Sequence, residues 1–202
     1  MHPNRAFDID ERQTVLRLVA EVGLAHIFTA SNEGLFVVHA PLLVTAAGTV
    51  QFHVSRRNRI ADHLTDRRVL ISVVGRHAYQ SASWYASADQ VPTWHYEAVE
   101  IEGVARQLDE SALVDQLDRL SEIHEARVEP ERPWTRAKMD PAKFDAMTKA
   151  IVGFEVSPTE VRGTCKFNQH KGSEDLAATI AGQERAGRQD IVAAIHEAVG
   201  AR

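Results

Sequence analysis

The cleanest pattern in this chain runs from Trp94 to Val104. Large or apolar residues at Trp94, Tyr96 and Ala98 give way to an alternation in which Val99, Ile101 and Gly103 are set against Glu100 and Glu102. A period of two predicts a half-buried strand. Ahead of it, SADQVPT carries the polar residues and proline of a loop that no central strand would contain. The stretch from His77 to Gly103 therefore reads as strand, aromatic-rich excursion, strand, with Trp84, Trp94, Tyr85 and Tyr96 gathered in it. Aromatic residues on such a loop are either a local lid over the core or the wall of a site for a flat ligand.

The same reading extends to the rest of the chain. Asp10 is placed to cap a helix over 11–22, in which Val15, Leu18, Val19 and Val22 fall at helical spacing before Gly23 stops it. LAHIFTAS and LFVVHAPLLVT flank Asn32-Glu33-Gly34 and predict a β-hairpin. A second turn at Ala46-Ala47-Gly48 leads to TVQFHVS, where Val50, Phe52 and Val54 alternate. RRNRIADHLTDRR predicts a short helix and VLISVVG a buried strand; IVGFEVS is one more strand near the end. Short connections make the sheet antiparallel. Six such strands laid flat would leave long open edges, so closure is expected. The fold class is α+β, mainly β: a closed six-stranded antiparallel barrel with peripheral helices. A helical insertion spans about 110–150, with helices over 111–126 and 141–150 separated by Glu129-Pro130-Glu131-Arg132-Pro133. Residues 1–180 are expected to form the main domain. Residues 181–202 are read as a flexible linker, Ala181–Gly187, and a peripheral helix over 190–199.

Composition changes this picture little. A net charge of −5 argues against nonspecific coating of nucleic acid. A single cysteine, Cys165, excludes an internal disulfide and a cysteine-based zinc site, and fits a reducing cytoplasm. No apolar signal core or 18-residue apolar run occurs, so no membrane association is expected. The ten histidines stand singly, without HxH, HxxxH or HExxH spacing, and no metal site is assigned. GxSxG, Walker and GxGxxG motifs are lacking. Cys165 beside Lys166 is either an activated thiol or an inert one. The stronger constellation is Ser55-Arg56-Arg57-Asn58-Arg59, where a strand turns into the expected short helix. Backbone N–H groups at a helix start, a hydroxyl and a guanidinium fork suit a phosphate, although such arginines also occur as a solvated face. Lys166, Gln169 and Lys171 form a second, weaker group.

One ordered set of motifs adds to this reading. HPNRAF, HAPLLV, HVSRRN, GRHAYQSASWY, VPTWHY, IVGFEV and KFNQHK cover roughly residues 1–178. Together they resemble the PaiB family of FMN-binding negative transcriptional regulators. Two departures are visible: His95 stands where asparagine is usual, and KFNQHK where KLSQNR-like segments are common. The resemblance implies a flavin-binding split barrel related to pyridoxamine phosphate oxidases, a homodimer, and FMN in a cleft at the subunit interface. In the HVSRRN run it implies Ser55, Arg56 and Asn58, with His53 beside them, around the ribityl phosphate. Val38, His39 and Pro41 would run beneath the isoalloxazine. Trp94 and Tyr96 would approach from the partner or pack behind the pocket, and Lys166 and Gln169 would close it. The function implied is that of an FMN-binding regulatory protein. An FMN-dependent oxidoreductase acting on a small substrate, with His39 or His95 as proton donor, is the alternative, and a haem-binding split barrel a third reading. No helix-turn-helix with a basic recognition face is present, so any contact with DNA would use a surface that the sequence does not mark.

Overall fold

The computed structural model describes residues 3–200. Helix α1, Arg12–Val22, ends at Gly23, whose φ of 68° lets its N–H turn back onto the Val19 carbonyl. Strands β1 (Leu24–Ser31) and β2 (Gly34–Val44) form the expected hairpin, followed by β3 (Val50–Ser55), β4 (Arg67–Gln80) and β5 (Thr93–Gln107). Helices α2 (Glu110–Val128) and α3 (Pro141–Thr148) precede β6 (Ile151–Lys166), and α4 (Ser173–Arg185) and α5 (Gln189–Gly200) complete the chain. The strands close in a ring, in the order β1-β2-β3-β6-β5-β4, with β1 paired antiparallel to both β2 and β4.

The chain divides into two compact units. One comprises residues 16–73 and 100–161. Its core is the inward register of the strands: Ile27, Val38, Ala40, Leu42, Val50, Phe52, Val54, Ile101, Phe154 and Val156 are buried. Phe52 and Phe154 stand opposite each other in register and stack at 5.5 Å, the cross-strand pairing that stabilises sheets. Gly103 is required here, because a Cβ would lie 2.5 Å from Val156 Cγ1 and 2.8 Å from the Ser157 carbonyl oxygen. Strand β5 follows the predicted alternation, with Val99, Ile101 and Gly103 inward.

The other unit comprises residues 3–15, 74–99 and 162–200. Ala78, Phe167, Ile191, Ala194 and Ile195 form its core, with Cys165, Leu176, Ile180 and Ala198 packed against it. Arg76 of β4 donates to Glu97 of β5 (2.6 Å) and to Glu197 of α5 (2.6 Å), so the final helix is tied in by charge as well as by packing.

Three expectations are corrected. Ala181–Gly187 is no flexible linker: α4 continues through Arg185, with Gly182 and Gln183 buried and Gln183 Nε2 donating to the Tyr79 carbonyl. Helix α5 is not peripheral, because Ile191, Val192, Ala194 and Ile195 recur at helical spacing and are buried. The segment after β3 forms successive turns and a short 3-10 turn at Ala61–His63 instead of an α-helix. There Asn58 Oδ1 accepts from the Ile60 N–H, and i→i+3 bonds bury Ile60 and Leu64. Beyond these, the strand read at IVGFEVS is extended, since β6 runs from Ile151 through Pro158 to Lys166.

Candidate functional site

The expected site residues divide between the two units. Val38, His39, Pro41, His53, Ser55, Arg56 and Asn58 belong to the first described, and Trp94, Tyr96, Lys166 and Gln169 to the second.

In the first unit Val38 points into the core, whereas His39 faces outward and meets the ring of His26 edge-on at 4.6 Å. Pro41 is half-buried opposite Leu24. His53 is half-buried; burial lowers its pKa, and the Gln116 side chain of α2 works against that shift. At the corner itself, Ser55 Oγ accepts from the Arg57 N–H (3.2 Å), and its carbonyl accepts from the Asn58 N–H. Arg56 is anchored at both ends of its residue: its N–H donates to the Ala150 carbonyl and its Nε to the Lys149 carbonyl (3.0 Å). No α-helix starts here, so the helix-terminus part of the phosphate argument falls away. What remains is a donor set: the terminal amino groups of Arg56, the Ser55 hydroxyl and the exposed Arg57. That set fits a phosphate. Arg56 also borders a cavity of about 190 Å³ lined with Asp109, Glu110, Leu113, Thr148 and Lys149. Its two carboxylates make that cavity itself a poor host for an anion.

In the second unit Trp94 is 54% exposed on the outer face of β5, beside His77 (6.2 Å) and Tyr79 (6.1 Å). It is no lid over the core. Trp84 does cover its unit, since its ring occupies the space that a Cβ on Gly182 would need. Gln169 is a brace: its Oε1 accepts from the Phe167 N–H, and its Nε2 donates to the carbonyls of Ala6 and Cys165. His95 is wholly buried, and neither ring nitrogen finds a partner in hydrogen-bond range. Burial pushes its pKa down to about 4, with the Asn168 side chain opposing and the Lys166 charge reinforcing the shift. Burial also pushes the Cys165 thiol up to about 12, which makes it the inert alternative.

The excursion between β4 and β5 is pinned to the segment that follows β6. Asp175 accepts from the N–H groups of Ala86 and Ser87, Asn168 Nδ2 donates to the Tyr85 hydroxyl (2.9 Å), Lys166 Nζ to Thr93 Oγ1 (2.6 Å), and Lys171 Nζ to Gln90 Oε1 (2.7 Å). These contacts surround a cavity of about 200 Å³ lined also with Asn4, Phe7, Val91 and His170. Sequence reasoning did not gather Tyr85, Gln90, Thr93 and Asn168 into a site. The signal was present, because all four lie within or beside the runs GRHAYQSASWY, VPTWHY and KFNQHK that carry the family resemblance.

Residues 1–160 match the family described as "Putative FMN-binding domain". Among characterised sequences, the protease synthase and sporulation protein PAI 2 of Bacillus subtilis is 34% identical over 112 residues, 55% of this chain and 53% of that protein. The chain thus spans about half the length of the curated relatives it matches. The flavocytochrome Anf3 from Azotobacter vinelandii has a similar fold, with a TM-score of 0.60 at 19% identity over 87% of this chain and 78% of that one. So does the FAD and heme binding protein from Mycobacterium smegmatis, with a TM-score of 0.60 at 14% identity over 85% and 79% of the two chains.

Proposed function

Because the chain belongs to the family described as "Putative FMN-binding domain" and takes FMN as its cofactor, we propose that it is an FMN-binding regulatory protein that holds the flavin between two copies of itself. The observation that carries the dimer is the outer face of the β1–β2 hairpin. On a closed barrel the outward positions meet water, yet here Leu24, Phe28, Leu35 and Val37 are all more than a third exposed. Phe28 and Val37 are cross-strand partners beside Leu35, so these three apolar positions are contiguous, with the His26–His39 pair between them and Leu24. A contiguous apolar face of this kind marks a contact surface.

Arg56 and Ser55 grip the ribityl phosphate from the outward side of their corner, with Arg57 adding charge. The β2 backbone around His39 and Pro41 lies along the ring. FMN supplies reversible electron and hydride transfer, while the protein sets its orientation and electrostatics. The regulatory role is drawn from the resemblance of the ordered motifs, HVSRRN, VPTWHY and KFNQHK among them, to the PaiB family of FMN-binding negative transcriptional regulators. The acidic helix α2 and the net charge of −5 argue against nonspecific DNA contact. A second reading, an FMN-dependent oxidoreductase, is favoured by one observation, the small-molecule cavity bordered by Lys166 and Lys171.

The test uses purified protein. Two copies per particle with bound flavin absorbance are expected, and Arg56→Ala should weaken FMN binding by about ten- to a hundredfold, the scale of a charged hydrogen bond. A single-chain particle that retains flavin, or unchanged FMN affinity in the variant, would remove the interface or Arg56 from this assignment. A promoter fragment whose electrophoretic shift depends on sequence favours the regulator; NADPH consumption stimulated by a small substrate favours the enzyme.

A further inference from the structure

Two lysines stand at the cavity of about 200 Å³, Lys166 at the end of β6 and Lys171 beyond it, and among the described residues each hydrogen-bonds to a neutral oxygen. Lys166 Nζ donates to the Thr93 hydroxyl and Lys171 Nζ to the Gln90 amide. An ammonium carries three N–H donors, so each has capacity beyond the bond it makes. Among the described residues, those that line the cavity include no carboxylate. Asp175 does not line the cavity: its oxygens accept from the N–H groups of Ala86 and Ser87 and from the Ser87 hydroxyl, and its charge reaches Lys171 and Tyr85 without a hydrogen bond to either.

A third donor is oriented by the fold. Asn168 holds a left-handed backbone with φ of 62°, which asparagine tolerates better than most residues, and its side-chain N–H donates to the Tyr85 hydroxyl. The Tyr85 oxygen is therefore an acceptor in that bond, and its own hydrogen remains to be given. Burial raises the Tyr85 pKa, which keeps that hydrogen in place, and burial lowers that of Lys166. The remaining walls include the Tyr85 ring under the Lys171 ammonium (5.3 Å), Phe7 edge-on to His170 (5.1 Å), the exposed Val91, and Asn4, whose Oδ1 accepts from the Ala6 N–H.

We infer that this cavity binds a small, flat organic carboxylate, with Lys166, Lys171 and the Tyr85 hydroxyl converging on the anion and the Tyr85 and Phe7 side of the cavity receiving the ring. At about 200 Å³ it lies below the roughly 300–1,000 Å³ of pockets that take drug-sized ligands, and so is too small for a whole flavin nucleotide. It is a site for a substrate or effector in its own right, and it does not rest on the flavin assignment.

The probe is benzoate, titrated by calorimetry into the purified protein with and without FMN, beside benzamide and inorganic phosphate. Benzoate is expected to saturate at one per chain in both forms and to outbind phosphate, and benzamide, which has the ring without the charge, to give no heat. Lys166→Gln and Lys171→Gln should each weaken benzoate by about tenfold, and the affinity should fall as pH rises through the Lys166 titration. Val91→Glu, an exposed change that sets a carboxylate at the cavity, should abolish binding in a normally folded protein. Benzoate binding that survives Val91→Glu and both lysine changes, equal binding of benzamide, or displacement of FMN by benzoate would each overturn the inference. Loss of FMN binding with benzoate binding intact would count against the flavin site alone.

Discussion

Arg56 and Lys171 each border a cavity, of about 190 and about 200 Å³ respectively, yet their surroundings differ in kind. Beside Arg56 the cavity also contains Asp109 and Glu110, and the guanidinium is committed through Nε to a main-chain carbonyl. Around Lys171 and Lys166 the partners are an amide and a hydroxyl, with no acid among the described residues of the wall. Counting basic residues along the chain ranks the arginine-rich corner first and the lysine segment second. Their partners in space make the lysine cavity the better anion host. A cation committed to the main chain beside carboxylates holds the fold together, and one bonded to neutral groups keeps donors for a ligand.

The largest effect should come from breaking a balanced cation. Arg76 is held by Glu97, which is 5% exposed, and by the more exposed Glu197, and these partners raise its pKa further. Arg76→Met leaves Glu97 buried without a counter-charge and should cost about 3–5 kcal/mol in denaturant unfolding. A loss below about 1 kcal/mol would show that Glu97 has other support.

Next in size is a pH effect in the same unit. The folded protein holds His95 at about 4, against 6.5 for an ordinary histidine. Between those values the unfolded chain binds the extra proton and the folded chain does not. Stability therefore falls as pH drops from 6.5 towards 4, by up to about 3 kcal/mol. His95→Asn should flatten that part of the stability–pH curve, and an unchanged slope would place the titration elsewhere, with His53 the other buried candidate.

The smallest effect sharpens the contrast most. The double change Lys166→Gln and Lys171→Gln should alter stability by no more than about 1 kcal/mol, because each lysine gives up only a bond to a neutral group. A large loss in that variant would mean that these two also serve the fold.

Much of the architecture was legible because it rests on period. The alternation at Val99, Ile101 and Gly103, the hairpin around Asn32-Glu33-Gly34 and the stripe Val15, Val19 of α1 all appear where local patterning places them. Three features were hidden because tertiary contacts decide them. Gly182 and Gln183 look like linker residues, but the glycine makes room for Trp84 and the glutamine bonds to the Tyr79 carbonyl. The basic run after β3 has helical composition, yet the Asn58 side chain diverts it into turns. The cavity donors Tyr85, Thr93 and Asn168 come from segments more than 70 residues apart, and no local spacing connects them. Of the expected flavin residues, Gln169 could be recognised as a brace only once its three bonds were visible.

The discontinuity of the second unit has a consequence for how the protein is made. Its core joins Ala78 from the middle of the chain to Phe167, Ile191 and Ile195 near the end. A ribosome must therefore extend the chain at least as far as Ile195 before that core can close, and Phe167 stays without its helical cover until α5 emerges. Residues 16–73 and 100–161 face no such wait, so they are the part able to collapse first during translation, with the lysine cavity among the last features to form.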